Sequence, residues 1–152
     1  MRPLCVTMGE PAGIGGEIAL KAWQRLRRSG PPFVVLDDPA RLRRVAADLA
    51  LDVPVRIVAS PPEASGVFGD ALPVWPLGED VWADPGRPRD SNCRAVIAAI
   101  ERAVSATQSG EIAGVVTNPI HKAVLSRSGF AHPGHTEFLA ALAGVPRTVM
   151  ML

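Results

Sequence analysis

A chain of 152 residues, 47% of them hydrophobic, is long enough for one ordinary domain with its own core. Its formal net charge of +1 leaves no electrostatic footprint for nucleic acid, and Arg27-Arg28 and Arg43-Arg44 read as solvated helix faces. No run approaches the roughly 20 apolar residues of a membrane span, and Gly9 and Glu10 break the apolar start too early for a signal sequence, so a cytoplasmic protein with no nucleic-acid and no membrane partner is expected.

Leu4 to Met8 reads as a buried strand and Gly9 to Gly16 as a turn, followed by a helix whose apolar stripe runs through Ile18, Ala22 and Leu26. Glycine has no Cβ, so such a turn lets a ligand or another chain segment approach the backbone closely. The positions Gly9, Gly13, Gly15 and Gly16 do not fit G-x-G-x-x-G, and a P-loop lysine is absent, so the turn by itself is no nucleotide fingerprint. Phe33 to Leu36 forms a second strand, and Pro39 opens a helix with Leu42, Val45, Ala46 and Leu49 as its inward stripe. Val55 to Val58 is a third strand. From Ser60 to Asp90 the chain reads as irregular apart from a short strand at Leu72 to Trp75, with Trp75 and Trp82 as core or loop packing in preference to pocket lining or a subunit contact. Asp90 or Ser91 is expected to cap a helix that turns Val96, Ile100, Ala103 and Val104 inward and stops before Gly110. Alternating strands and helices predict an α/β sandwich with a largely parallel sheet. Cys5 and Cys93 have no metal-ligand spacing and are expected to remain thiols.

The chemistry concentrates between Thr117 and Glu137, which holds all three histidines. The apolar run Ile112 to Val116 stops at Thr117 and Asn118, and Pro119 cannot donate a ladder hydrogen bond, so a strand ends there. Ligands of open parallel sheets bind outside such carboxyl ends. Lys122 to Arg127 reads as a short helix closed by Gly129, and Thr136 as the N-cap of a helix carrying Phe138, Leu139 and Leu142. His135 then lies at a helix N-terminus, where free amides, an imidazole and a hydroxyl make a cradle for a phosphate or carboxylate. Lys122 can hold an anion or exchange a proton there, or be an exposed salt-bridging lysine. Asn118 is a weaker catalytic candidate, since asparagine before proline is often an Asx turn, and Glu137 favours the helix dipole without chemistry. No two histidines have the i, i+4 spacing of a zinc motif. His132 is expected at the surface, and His121 in a structural or subunit-contact role.

Gly134-His135-Thr136-Glu137, preceded by T-N-P-I-H-K from Thr117 to Lys122, together with G-E-P-A-G-I-G-G-E from Gly9 to Glu17, resembles the 4-hydroxythreonine-4-phosphate dehydrogenase family of vitamin B6 synthesis. The resemblance runs from Leu4 to Leu152, and family members are about twice as long, so residues 1–152 are expected to be the amino-terminal half of a two-domain subunit. The glycine turn is also similar to that of isocitrate and isopropylmalate dehydrogenases. This implies their three-layer α/β sandwich, here incomplete, with Gly13 and Ile14 bordering the cofactor cleft. The resemblance implies that His135 and Thr136 bind substrate, with Lys122 and Asn118 as catalytic candidates. For the whole enzyme it implies NAD- or NADP-dependent oxidation of 4-phosphooxy-L-threonine to 2-amino-3-oxo-4-phosphooxybutanoate, which decarboxylates to 3-amino-2-oxopropyl phosphate. It further implies a homodimer and a divalent zinc, magnesium or cobalt ion whose three histidine ligands fall beyond Leu152. The chain alone is therefore expected to be inactive. The alternatives are a paralogue acting on 4-phospho-threonate or -erythronate, and a noncatalytic phosphate-ester-binding remnant or partner subunit. Thr148 to Leu152, an apolar run with no cap or polar tail, reads as a strand cut short, so that the chain is truncated or its missing half comes from another chain.

Overall fold

A computed structural model describes residues 1–79 and 81–151. Five strands, β1 (Leu4–Thr7), β2 (Phe33–Asp37), β3 (Val55–Ile57), β4 (Leu72–Pro76) and β5 (Gly114–Val116), form one sheet in the order β3-β4-β2-β1-β5. Every pairing is parallel, with Leu4 opposite both Phe33 and Gly114, and Val35 opposite Val74. The helices are α1 (Gly15–Leu26), α2 (Pro39–Asp48), α3 (Ala64–Val67), α4 (Cys93–Gln108), α5 (Lys122–Arg127) and α6 (His135–Ala143).

Central β2 is buried along its whole length, and its alternate residues feed two cores. Phe33 and Val35 join Leu72, Val74 and the buried residues of α1 and α2 on one face. Val34 and Leu36 join Cys5, Trp75 and the inward side of α4 on the other. A strand covered on both faces reads as a continuous apolar run, which is why FVVL carries no polar alternation. Leaving β1 the chain passes to β2 on one side, and it returns from β4 to β5 on the other, so the order reverses between the carboxyl ends of β1 and β5. That reversal is where an open α/β sheet offers a crevice.

The buried stripe of α1 is not Ile18, Ala22 and Leu26. Ala19, Leu20 and Trp23 face the sheet, while Ile18 and Leu26 are exposed. Burying the largest side chain of the helix decides the rotation, and the Trp23 indole N–H finds a partner in the Phe68 carbonyl at 2.8 Å. Two short helical segments, a 3₁₀ turn at Pro61–Glu63 and α3, interrupt the stretch expected to be irregular; neither is long enough to show a period. Neither Asp90 nor Ser91 caps α4. A 3₁₀ turn spans Asp90–Asn92, and the Asn92 side chain donates to the Trp82 carbonyl at 3.0 Å, while Asp90 pairs with Arg127. Val96, Ile100, Ala103 and Val104 do point inward. Residues 148–151 join no strand, and Leu152 lies outside the described residues. Both cysteines are free and buried, and burial, opposed by Arg102, pushes the Cys5 thiol up to about 12. Among the described residues no helix is long and apolar enough to cross a membrane.

At the end of β2 a buried ion pair anchors the glycine turn. Arg41 Nε donates to Asp37 Oδ1 at 2.9 Å, its second amino group pairs with Asp37 Oδ2, and its Nη1 reaches the Pro11 carbonyl at 3.1 Å. Asp38 caps α2 by accepting from the Ala40 N–H at 2.8 Å, with Pro39 at the first helical position as expected. Burial pushes the Asp37 carboxyl above its ordinary range against the pull of Arg41; Arg41, which burial alone would lower, is held above its own range by Asp37. The hydrogen bonds converging on Asp37 favour the charged pair. Removing one partner strands the other charge in the interior. Arg41→Ala is expected to cost about 3–5 kcal/mol in urea unfolding, and the double change Asp37→Leu with Arg41→Met to recover most of it. A single-variant loss below about 1 kcal/mol would show the pair to be solvated.

Candidate functional site

The site is built around the approach of the glycine turn to the end of β5. Gly9 has a φ of +69°, and a Cβ added there would lie 2.7 Å from both Asn118 Cβ and the Pro119 carbonyl oxygen. At Gly15 an added Cβ would lie 2.7 Å from the Met8 carbonyl oxygen. Only glycine lets these backbones meet. The Glu10 N–H donates to the Pro119 carbonyl at 2.8 Å, and Asn118 Nδ2 donates to the carbonyls of Thr7 at 2.9 Å and Gly15 at 3.3 Å.

Asn118 is therefore a buried strut. Both Nδ2 donations go to backbone, and its own N–H donates to the Thr7 hydroxyl at 3.3 Å. This is a positioning use of the Asn118 amide, whose hydrogens both go to backbone carbonyls. An Asx turn is not its role either, since the partners lie across the fold.

After Pro119 the chain makes α5, whose N-cap is His121. Its Nδ1 accepts from the Val124 N–H at 3.3 Å, a structural use of that ring. Lys122 opens the helix and is exposed. His132 is not a free surface residue: it lies half-buried between Phe130 and Phe138, with ring centroids 5.3 Å and 5.0 Å away. Phe130 and Phe138 meet edge to face at 4.9 Å. This cluster ties the loop after α5 to the first turn of α6.

That loop delivers His135 as the first residue of α6. The N-cap is Gly134, not Thr136, which sits one position inside the helix. The extended backbone of Gly134, with no side chain, starts the helix two residues earlier than the hydroxyl pattern suggests. A Cβ on Gly134 would lie 3.5 Å from Lys122 Nζ and 3.6 Å from Glu137 Oε2, so a cation and a carboxylate converge on the helix start. The His135 Nε2 is buried with no hydrogen-bond partner among the described residues. Burial, then the neighbouring Lys122 ammonium, lowers the His135 pKa. Lys122, His135 and Thr136 are thus brought to one end of α6, where unpaired helix N–H groups favour an anion.

Gly13 and Ile14 lie elsewhere. They line a groove of about 580 Å³ on the other flank of the turn, whose walls include Arg44, Asp48, Leu49 and Trp82. Trp75 is buried, as expected of a core residue, but Trp82 is 59% exposed and lines this groove. The sequence reading missed the Asp37-Arg41 anchor, although an Asp followed four residues later by an Arg on a helix opened by proline is a visible signal. Among the described residues no three His, Cys, Asp or Glu side chains converge as a metal ion requires.

Comparison with known proteins decides the family. Residues 29–152 match the family described as pyridoxal phosphate biosynthetic protein PdxA. The chain belongs to the PdxA family. A 4-hydroxythreonine-4-phosphate dehydrogenase of Methylorubrum extorquens strain PA1 is 52% identical over 99% of the chain and 45% of its own length. One from Bradyrhizobium diazoefficiens is 47% identical over 99% of the chain and 47% of its own length. The crystal structure of the Klebsiella pneumoniae 4-hydroxythreonine-4-phosphate dehydrogenase superposes with a TM-score of 0.79 at 33% identity, covering 95% of this chain and 45% of that one. The chain thus spans about half the length of the PdxA relatives it matches, and shares their isocitrate/isopropylmalate dehydrogenase-like α/β fold.

The lowered His135 pKa has a sign. The unfolded chain binds the proton more tightly, so this residue's contribution to stability is present above the ordinary histidine value and is lost as pH falls below it. A histidine-resolved NMR titration should place the His135 midpoint below about 6.5. Lys122→Met should raise it, and an unmoved midpoint in that variant would separate the two side chains. Asn118→Ala is expected to cost about 1–3 kcal/mol, read by denaturant unfolding, since the carbonyls of Thr7 and Gly15 lose their donor.

Proposed function

We propose that this chain carries the substrate-anion end of an NAD(P)-dependent 4-hydroxythreonine-4-phosphate dehydrogenase and corresponds to the amino-terminal half of the two-domain subunit. The observation that carries the reading is the buried, unpartnered His135 Nε2 beside Lys122 at the start of α6. A polar atom buried without a partner costs about 1–3 kcal/mol, and a ligand oxygen delivered to it recovers that cost. Relatives named for a phosphorylated substrate make a phosphate ester the fitting ligand.

In this reading His135 and Thr136 bind and orient 4-phosphooxy-L-threonine through its anionic or hydroxyl oxygens. The free N–H groups at the start of α6 contribute to the same oxygens. Lys122 balances the added negative charge, and a proton taken up by His135 on binding restores the charge of the imidazole. Gly13 and Ile14 line a groove that would border a nicotinamide cofactor, and such a cofactor would supply the hydride acceptor for the alcohol's oxidation. Asn118 holds the glycine turn between the two. The reading extends to a cytoplasmic homodimer, as the family resemblance implies, and to a chain that does not turn over substrate alone.

Calorimetry of the chain with 4-phosphooxy-L-threonine tests it. Binding is expected, and His135→Ala or Lys122→Met should weaken it roughly tenfold or more, the size of a lost hydrogen bond to a charged group. Wild-type binding that both variants retain would place the substrate elsewhere. Tighter binding of 4-phospho-threonate or -erythronate would move the assignment to those substrates, and NAD(P) reduction by the isolated chain would overturn the inactivity.

A further inference from the structure

The helix that carries Lys122 is six residues long, too short to hold its own first turn by backbone propensity. Packing fixes its far half. Val124 and Leu125 are buried in the core that α4 covers, Cys93 Sγ donates to the Val124 carbonyl at 3.7 Å, and the Ser128 hydroxyl donates to Cys93 Sγ at 3.0 Å. Arg127 pairs with Asp90 at 3.0 Å. The near end has no such packing, for His121, Lys122 and Ala123 are all exposed. One residue closes the turn there. The His121 backbone is extended, its carbonyl accepts from the Val124 and Leu125 N–H groups at 3.1 Å each, and its ring Nδ1 accepts from the Val124 N–H at 3.3 Å. A side chain that accepts from the first free N–H groups holds a helix start that would otherwise fray.

The residue whose direction this cap sets is Lys122, the first of the helix. Its side chain crosses to α6: Cε and Nζ both lie 3.5 Å from where a Gly134 Cβ would stand, and Glu137 Oε2 lies 3.6 Å from the same point. No ion pair ties the ammonium among the described residues. A helical side chain leaves its backbone in a direction the local turn dictates. Fraying of the first turn of α5 would therefore let the ammonium swing away from the start of α6.

We infer that His121 is a positioning residue for the anion site: its neutral ring, with the Nδ1 lone pair on the Val124 N–H, fixes the first turn of α5 and so aims the Lys122 ammonium at the start of α6. The inference deepens the proposed function and rests on that reading only for the identity of the ligand.

Histidine-resolved NMR tests the aim of Lys122 without any ligand, because that ammonium helps to lower the His135 pKa. In the unaltered chain the His121 ring should be the tautomer protonated on Nε2, leaving Nδ1 to accept. His121→Ala should raise the His135 midpoint in the same direction as Lys122→Met, and raise it no further where Lys122 is already Met. His121→Asn removes the same imidazole but keeps a capping side chain, so it should leave the midpoint low. An Nδ1-protonated tautomer, a midpoint that His121→Ala does not move, or one that Ala and Asn move equally overturns the inference. Calorimetry with 4-phosphooxy-L-threonine reads the consequence: His121→Ala should weaken binding about threefold or more, and His121→Asn should stay within about twofold of the unaltered chain. Unchanged affinity in His121→Ala, where the unaltered chain binds, also overturns it. The two failures are distinguishable. Coupled midpoints without substrate binding remove the substrate reading and leave this one, whereas retained binding with uncoupled midpoints does the reverse.

Discussion

The glycine turn and the end of β5 meet backbone to backbone, and this approach sets the geometry of the whole carboxyl edge. Gly9 and Gly15 create room by having no side chain, and Asn118 fills it with an amide that satisfies carbonyls of β1 and of the first helix at once. Buried carbonyls without donors would make so close a contact unfavourable. The strut therefore holds the turn between two surfaces of different character. On the β5 side lie His135, Thr136 and Lys122; on the β2 side lies the groove lined by Ile14 and Trp82.

The two flanks differ electrostatically. The start of α6 combines a lysine, an imidazole and helix amides, an environment that gains most from an anion. The groove pairs its arginines internally and shows carboxylates and hydrocarbon instead. The Asp37-Arg41 pair serves both flanks indirectly, since Arg41 grips the Pro11 carbonyl in the turn that divides them.

Much of this edge was legible in the residues. The run Phe33–Leu36 of β2, the proline-initiated α2, the six-residue α5 and the inward side of α4 follow from period, proline position and apolar run. The grouping of Lys122, His135 and Thr136 was legible because they lie within fifteen residues of one another, where local turns dictate proximity. Long-range partners were not. Nothing near Asn118 in sequence announces Thr7 or Gly15, so its side chain looked like an Asx turn. The face of α1 was misjudged because alternative stripes on one short helix differ chiefly in whether Trp23 is buried, which depends on Phe33 and Phe68 arriving from elsewhere. Likewise, Trp82 looked like loop packing until the contacts of its loop with Asp38, Arg44 and Ala12 were visible.

The contact between Asn118 and Thr7 bridges a separation of 111 residues. Closing so long a loop carries an entropic cost that only prior ordering of the intervening strands can reduce. During synthesis the amino-terminal turn emerges first and stays without its donor until β5 and Asn118 have left the ribosome. The two flanks of the turn therefore acquire their final shapes together, only once β5 has emerged.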